Sequence, residues 1–66
     1  MWILVWEEIE IRSGKKETYK IDSKTYKEAS DMILRFCKTP LEGKIIKYSL
    51  TNPNNRIIEE GNIIHE

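Results

Sequence analysis

The sequence has few of the residues on which catalysis, metal binding and covalent cross-linking depend. It contains a single cysteine, Cys37, and a single histidine, His65. A lone cysteine cannot close an internal disulfide, and one cysteine with one distant histidine does not supply the ligands of a zinc site. A catalytic base needs a positioned partner, and the sequence offers none beside His65, which we expect to be a surface residue at a strand end. The sequence therefore predicts a protein that is not an enzyme, with no catalytic residue, metal site or cofactor.

The chain also lacks an excess of charge of one sign and a long apolar run. Its 11 basic and 11 acidic residues cancel, which argues against a nucleic acid as the main partner. The apolar run from Met1 to Val5 is too short to span a membrane, and Glu7 and Glu8 follow it. Together with the single cysteine and the absence of a signal-peptide pattern, this favours a cytoplasmic protein without a membrane partner. Residues 1–66 are expected to form one small domain with a narrow margin of stability.

One segment, residues 25–38, has the periodicity of a helix. Its apolar residues recur with the spacing i, i+3, i+4 and i+7 and so share one side: Ala29, Met32, Ile33 and Phe36. Thr25 and Glu28 have the spacing of a capping box, and Ser23 is an alternative cap. Pro40 cannot continue the helix. A helix this short needs a packing surface, because short helices are marginal in water.

Four stretches have the alternation of β-strands: residues 2–12, 16–22, 44–51 and 56–65. Ser13-Gly14 and the Asn-Pro-Asn-Asn run at 52–55 predict the turns of two hairpins. Gly61 interrupts the last strand, which indicates a bulge or a close backbone approach. A bulge near Glu7 and Glu8 is a second choice for the first strand.

The resulting prediction is an α+β domain with the element order β-β-α-β-β, in which one helix crosses one face of a four-stranded antiparallel sheet. A right-handed crossover makes the second and third strands parallel in direction. The strand order 2-1-3-4 then makes all neighbours antiparallel and places the most apolar strand in the centre. An order such as 1-2-4-3, or hairpins that pair between two chains, remains an alternative. The predicted core packs the helix on the third strand, with these residues in contact: Ala29, Ile33, Phe36, Ile46, Tyr48 and Leu50.

Because one helix covers only one face of the sheet, one apolar row of the first strand lacks a cover within the chain. If Ile3 and Val5 face the helix, the other row lies on the bare face, and Ile45 joins it, as can one of Ile57/Ile58 and one of Ile63/Ile64. The predicted interface then consists of Trp2, Leu4, Trp6 and Ile45. The alternative is that the helix covers the tryptophan row and leaves the isoleucine row open. An apolar patch of this size is typical of an interface, and tryptophan is frequent in interface hot spots. We therefore expect a homodimer or a complex with a larger protein.

Basic residues concentrate between positions 12 and 27. Six of them, against only Glu17 and Asp22, give this window a net charge of +4: Arg12, Lys15, Lys16, Lys20, Lys24 and Lys27. If the hairpin loop and the helix start form one end of the molecule, these residues could contact nucleic acid together with Tyr19 and Tyr26. The alternative function is therefore a nucleic-acid-binding accessory protein. Lysines on loops and edge strands also serve solubility and block edge pairing, and that is the favoured interpretation.

Two further groups could carry chemistry. Glu8 and Glu10 share a strand face about 7 Å apart, a pair that could hold a hard cation or transfer protons. No Gly-rich loop or further acidic ligand accompanies them, so we interpret them as a solvated face. Cys37 flanks the apolar side of the helix, where we expect it to be packed or half-buried.

Overall fold

The computed structural model describes residues 1–38 and 42–65, without the side chain of His65. Its elements are β1 (Trp2–Glu10), β2 (Lys16–Ser23), α1 (Tyr26–Lys38), β3 (Lys44–Thr51) and β4 (Ile57–His65). The strands form one sheet in the order β2-β1-β3-β4, and each neighbouring pair is antiparallel. The predicted α+β class and the 2-1-3-4 strand order are confirmed. Pro40, predicted to prevent the helix from continuing, lies outside the described residues.

The two hairpin turns depend on residues that tolerate a left-handed backbone. In the first turn Gly14 has a φ of 73°, and its amide donates to the carbonyl oxygen of Glu10 at 2.8 Å. In the second turn Asn55 has a φ of 62°. The Asn52 side-chain oxygen accepts bonds of 3.0 Å from the backbone amides of Asn54 and Arg56. The asparagine-rich sequence therefore closes this turn by bonding its own backbone.

The helix begins with the cap that its sequence predicts. The Thr25 hydroxyl accepts from the backbone amide of Glu28 at 3.3 Å. The Glu28 carboxylate accepts from the amide of Lys24 at 3.4 Å, one residue before the position expected in a capping box. Ser23, the alternative cap, is instead the buried last residue of β2.

The core lies between α1 and the central strands. The helix buries Ala29, Ile33 and Phe36, and the sheet contributes the other buried apolar residues: Leu4, Trp6, Ile46 and Leu50. Leu4, Ile46 and Leu50 are the largest side chains that are completely removed from solvent. Tyr48 is partly buried against this cluster. The predicted burial of the helix residues in one cluster with Ile46 and Leu50 is thus confirmed, with Tyr48 at its margin, but the helix lies closest to β1 and β2 and not to β3.

The prediction that the tryptophan row lies on the bare face of the sheet is wrong. Leu4 and Trp6 retain 0% and 8% of their exposure, and the Trp6 ring lies 5.0 Å from the Phe36 ring. Trp2 is half-buried and its ring lies 5.3 Å from that of Tyr26, at the start of the helix. The row pairs with the side of β3 that faces the helix, because Leu4 is opposite Leu50. Burying two indoles removes more apolar surface than burying Ile3 and Val5, which favours this face for the helix.

Gly61 is explained by a close approach of an aromatic ring. It lies opposite Tyr48 in the sheet, and a Cβ atom at Gly61 would stand 2.6 Å from the Tyr48 hydroxyl oxygen. The ring therefore occupies the space that a side chain on the neighbouring strand would need. The irregularity of β4 lies elsewhere, because its register shifts between Leu50 and Thr51 of β3.

The alternative bulge at Glu7 and Glu8 does not form. β1 keeps one register against both of its neighbours from Ile3 to Ile9. Glu7 is simply a polar member of the row that faces away from the helix, and Lys47 lies opposite it on β3.

Phe36→Ala is expected to lower the free energy of unfolding by about 3–5 kcal/mol. Phe36 is 9% exposed and supports the Trp6 ring, so truncation leaves a cavity at the centre of the core. The matched control is Leu34→Ala on the same helix, because Leu34 is 52% exposed. Chemical and thermal denaturation followed by circular dichroism measure the free energy of unfolding and the melting temperature of both variants. A melting temperature within a few degrees of wild type for Phe36→Ala would contradict the assigned helix face.

Candidate interaction surface

The side of the sheet opposite α1, called here the open face, is covered by no described segment of the chain. Side chains alternate along a strand, and Leu4 and Trp6 face the helix, so Ile3, Val5 and Glu7 point to the open face. Residues directly opposite each other on antiparallel strands share a face and lie about 5 Å apart. The strand register therefore arranges the open face in rows that cross the sheet.

One row is apolar across three strands. Ile9 of β1 lies opposite Ile45 of β3, which lies opposite Ile64 of β4. Ile9 and Ile45 are half-buried, and Ile64 is 59% exposed. Ile11 lies at the same end of the sheet, where its amide donates to the Gly43 carbonyl oxygen, and it is 47% exposed. This row of three isoleucines is the most continuous apolar feature of the open face.

The middle of the open face carries charges of both signs. Glu7 and Lys47 lie opposite each other on the two central strands, and within the described part of the chain neither side chain has an ion pair or a side-chain hydrogen bond. Lys20 on β2 and Glu60 on β4 lie in the neighbouring row, at opposite edges of the sheet. Both are exposed. Each half of the open face, β2 with β1 and β3 with β4, thus carries one of these lysines and one of these glutamates.

The structure divides the predicted interface. Ile45 lies on the open face, whereas Trp2, Leu4 and Trp6 lie on the helix side. Of the three isoleucines in the apolar row, sequence reasoning did not select Ile9, whereas Ile64 belongs to the pair Ile63/Ile64, of which one was expected on the bare face. The signal was the alternation itself, because Ile9 belongs to the parity of Ile3 and Val5, which the alternative assignment leaves open.

The six basic residues do not form one patch. Arg12, Lys15 and Lys16 lie at the hairpin turn, whereas Lys24 and Lys27 lie at the start of the helix. β2 separates these groups by its whole length, roughly 23 Å for its eight residues. The prediction that the hairpin loop and helix start form one basic end is therefore wrong, because an extended strand carries its two termini to opposite ends of the sheet.

The two tyrosines of the basic window are bonded to carboxylates. The Tyr19 hydroxyl donates to Glu17, and the Tyr26 hydroxyl donates to Glu59 of β4. These bonds raise the pKa of Tyr19 to about 12 and also raise the pKa of Tyr26. The bond from Tyr19 lowers the pKa of Glu17. Tyr19 also stacks on Trp6 with the ring centres 5.3 Å apart, so it closes the edge of the core.

The remaining candidate groups have simple structural roles. Glu8 lies 3.6 Å from the Lys44 ammonium, an ion pair between neighbouring strands. Cys37 is exposed, so the expectation that it is packed or half-buried is wrong. Within residues 1–38 and 42–65, no three His, Cys, Asp or Glu side chains are grouped so that they could hold a metal ion.

Comparison of the chain with protein-family models, curated proteins and solved structures finds no significant match. In the part of the chain that the structure describes, no helix is long and apolar enough to cross a membrane.

Glu17→Gln is expected to bring the pKa of Tyr19 from about 12 down towards its ordinary value of 10. The bond from Tyr19 to Glu17 forms only in the folded chain and only while Tyr19 is protonated. Its contribution to the free energy of unfolding is therefore complete below the pKa of Tyr19 in the unfolded chain, 10.0. The contribution is lost as the pH rises through the folded-state pKa of about 12. Tyrosine-resolved NMR titration measures each hydroxyl separately. Glu60→Gln, on the other face, is the control and should leave Tyr19 unchanged. An unchanged Tyr19 pKa in Glu17→Gln would contradict the assigned bond.

Binding to nucleic acid is expected to be weak at near-physiological salt, because the basic residues are divided between two ends and the net charge is +0. Fluorescence anisotropy with single- and double-stranded DNA and RNA over a salt series measures this. An unrelated basic protein of similar size, at equal concentration, is a control for generic phosphate binding. Tight, sequence-dependent binding with a steep salt dependence would support the accessory-protein alternative instead.

Proposed function

We propose that this chain is a small non-enzymatic protein-interaction module that self-associates through the open face of its sheet. The observation that carries the proposal is the uncovered row Ile9, Ile45 and Ile64. Burying an aliphatic side chain of this size contributes about 1.5–3 kcal/mol. Ile64 is 59% exposed, so most of that contribution is available to an association.

The titratable groups support a non-enzymatic role. The described residues with shifted pKa values are the exposed residues Glu17, Tyr19 and Tyr26. Each shift has a side-chain bond between a tyrosine and a glutamate as its largest cause, and neither bond involves a nucleophile with a positioned base. The shifted pKa values are therefore explained by hydrogen bonds on the surface and do not require a catalytic role.

The composition of the open face favours self-association over a complex with a different protein. A two-fold axis uses one surface twice, so every favourable contact is doubled. The open face carries apolar residues and charges of both signs, which allows it to complement itself. A surface of one charge sign would instead repel its own copy.

Ile64→Lys is expected to convert the associated wild-type protein to a monomer, because it places a charge at the exposed end of the apolar row. Sedimentation equilibrium from low to high micromolar protein measures the mass. The matched control is Leu34→Lys, which introduces the same charge on the outer side of α1 at a residue that is 52% exposed. The control should associate like wild type.

A wild-type chain that stays monomeric at high micromolar concentration would contradict self-association. Equal loss of association in Ile64→Lys and Leu34→Lys would contradict the open face as its site. Tryptophan emission is unsuitable for this test, because Trp6 is 8% exposed within a single chain and packs against Phe36.

A further inference from the structure

We infer that two copies of this chain pack open face to open face around a two-fold axis. The axis runs parallel to the strands, midway between the two sheets, and lies over the boundary between β1 and β3. In this arrangement β1 lies over β3 of the second copy, and β2 lies over its β4. The inference rests on the proposed self-association and specifies its partner, a second copy, and its contacts. The observation behind it is the position of each charge on the open face.

A two-fold axis along the strands exchanges the left and right sides of the sheet but keeps each crosswise row at its own level. Ile9 therefore meets Ile45 of the second copy, and Ile45 meets Ile9 of the second copy. The apolar rows of the two copies coincide as a result. Packed sheets lie about 10 Å apart with their strands within about 30° of each other, so side chains of opposing rows interdigitate.

The same axis places opposite charges together at the centre of the contact. Glu7 lies over Lys47 of the second copy, and Lys47 lies over its Glu7. Because Glu7 and Lys47 are also neighbours across β1 and β3 in each copy, the four charges form a square of alternating sign. These two residues lie nearest the axis, so a modest rotation between the sheets displaces them little. Such a square supplies partners for two side chains that have none within the described chain.

The flanks of the open face complement each other in the same arrangement. Lys20 on edge strand β2 lies over Glu60 on β4 of the second copy, and the symmetry repeats the pair on the other side. Lys16, opposite Ile9 on β2, lies over Ile64 of the second copy. The aliphatic stem of a lysine can cover an isoleucine while its ammonium group stays in water.

A two-fold axis across the strands is the competing arrangement. We place this axis between the crosswise row of Glu7 and Lys47 and the crosswise row of Val5 and Ser49. Each strand then lies over the same strand of the second copy, and the order of the rows is reversed. As a result Glu7 lies over Val5, and Lys47 lies over Ser49. Both central charges would then lose water without gaining an opposite charge from the second copy. Burying a charge without a partner is unfavourable, and charge complementarity fixes register in interfaces. The positions of the charges therefore favour the axis along the strands.

The size of the open face sets the expected strength of the dimer. Four strands of eight or nine residues present a face that buries on the order of 1,000 Å² in total when paired. This is the lower limit for a specific interface, so a weak dimer in the micromolar range is expected. Its association should also respond strongly to single charge changes at the centre.

The test uses full-length chains with exchanged central charges. Glu7→Lys and Lys47→Glu should each weaken self-association by at least about tenfold, because each creates like-charge contacts across the axis. Mixed in equal amounts, the two variants should form a one-to-one heterodimer, because every contact between position 7 of one chain and position 47 of the other then joins opposite charges. Native mass spectrometry and sedimentation measure this, and circular dichroism verifies that each variant is folded. If a single variant is unfolded, the double variant Glu7→Lys/Lys47→Glu should still self-associate, because the exchange restores both the internal and the crosswise pairs.

A second pair of variants tests the direction of the axis. Lys20→Glu and Glu60→Lys should each weaken the homodimer several-fold, and their mixture should be enriched in heterodimer, because β2 lies over β4. Across the competing axis these residues lie over Thr18 and Asn62, so that mixture would show no preference, which would overturn the inferred arrangement.

The outcomes separate this inference from the proposed function. A wild-type dimer that Ile64→Lys dissociates, but whose charge-exchanged mixtures form no heterodimer, retains the open face as an interface and overturns the arrangement. A wild-type monomer at high micromolar concentration overturns both. Heterodimers in both mixtures support both.

Discussion

The packing of one short helix on a four-stranded sheet is the constraint from which the other features of this chain follow. The apolar side of α1 meets the face of the sheet that carries Leu4 and Trp6. Trp6 lies between two other rings, with Phe36 at 5.0 Å and Tyr19 at 5.3 Å, and so joins the helix to edge strand β2. In a chain of this length such an aromatic cluster carries a large share of the apolar burial on which stability depends.

The same constraint leaves the second face of the sheet uncovered by residues 1–38 and 42–65. That face is less uniformly apolar than the helix side, because Glu7, Lys47, Lys20 and Glu60 interrupt its isoleucines. Charges on an exposed sheet reduce unspecific association, and in fixed positions they select one orientation of a partner. A surface that mixes both kinds of residue is suited to a reversible and specific contact. This is the physical basis of the proposed interaction role.

The sequence by itself determined the elements and favoured one order of the strands over the alternatives. The spacing of Ala29, Ile33 and Phe36 defined the helix, and the caps at Thr25 and Ser23 defined its start to within about two residues. Gly14 and the run from Asn52 to Asn55 defined the two turns, because few other residues adopt those backbone angles or bond their own backbone. The strand order followed from the antiparallel hairpins, the crossover and the apolar character of β1 on both parities. The signals for the helix and the two turns are local, so they can be read from neighbouring residues, whereas the strand order was argued from the connections between the elements.

Only the tertiary structure decided which side of β1 the helix covers. Both sides of the first half of β1 are apolar. The alternation therefore shows that the tryptophans and the isoleucines lie on opposite sides, but it does not show which side faces the helix. The same holds for Cys37, at the margin of the helix stripe, where a small rotation separates packing from exposure. The basic residues between 12 and 27 differ, because the strand predicted at 16–22 already places its two ends far apart. The face of the sheet that a helix covers depends on segments that are distant in sequence. It is decided by the packing that buries the most apolar surface.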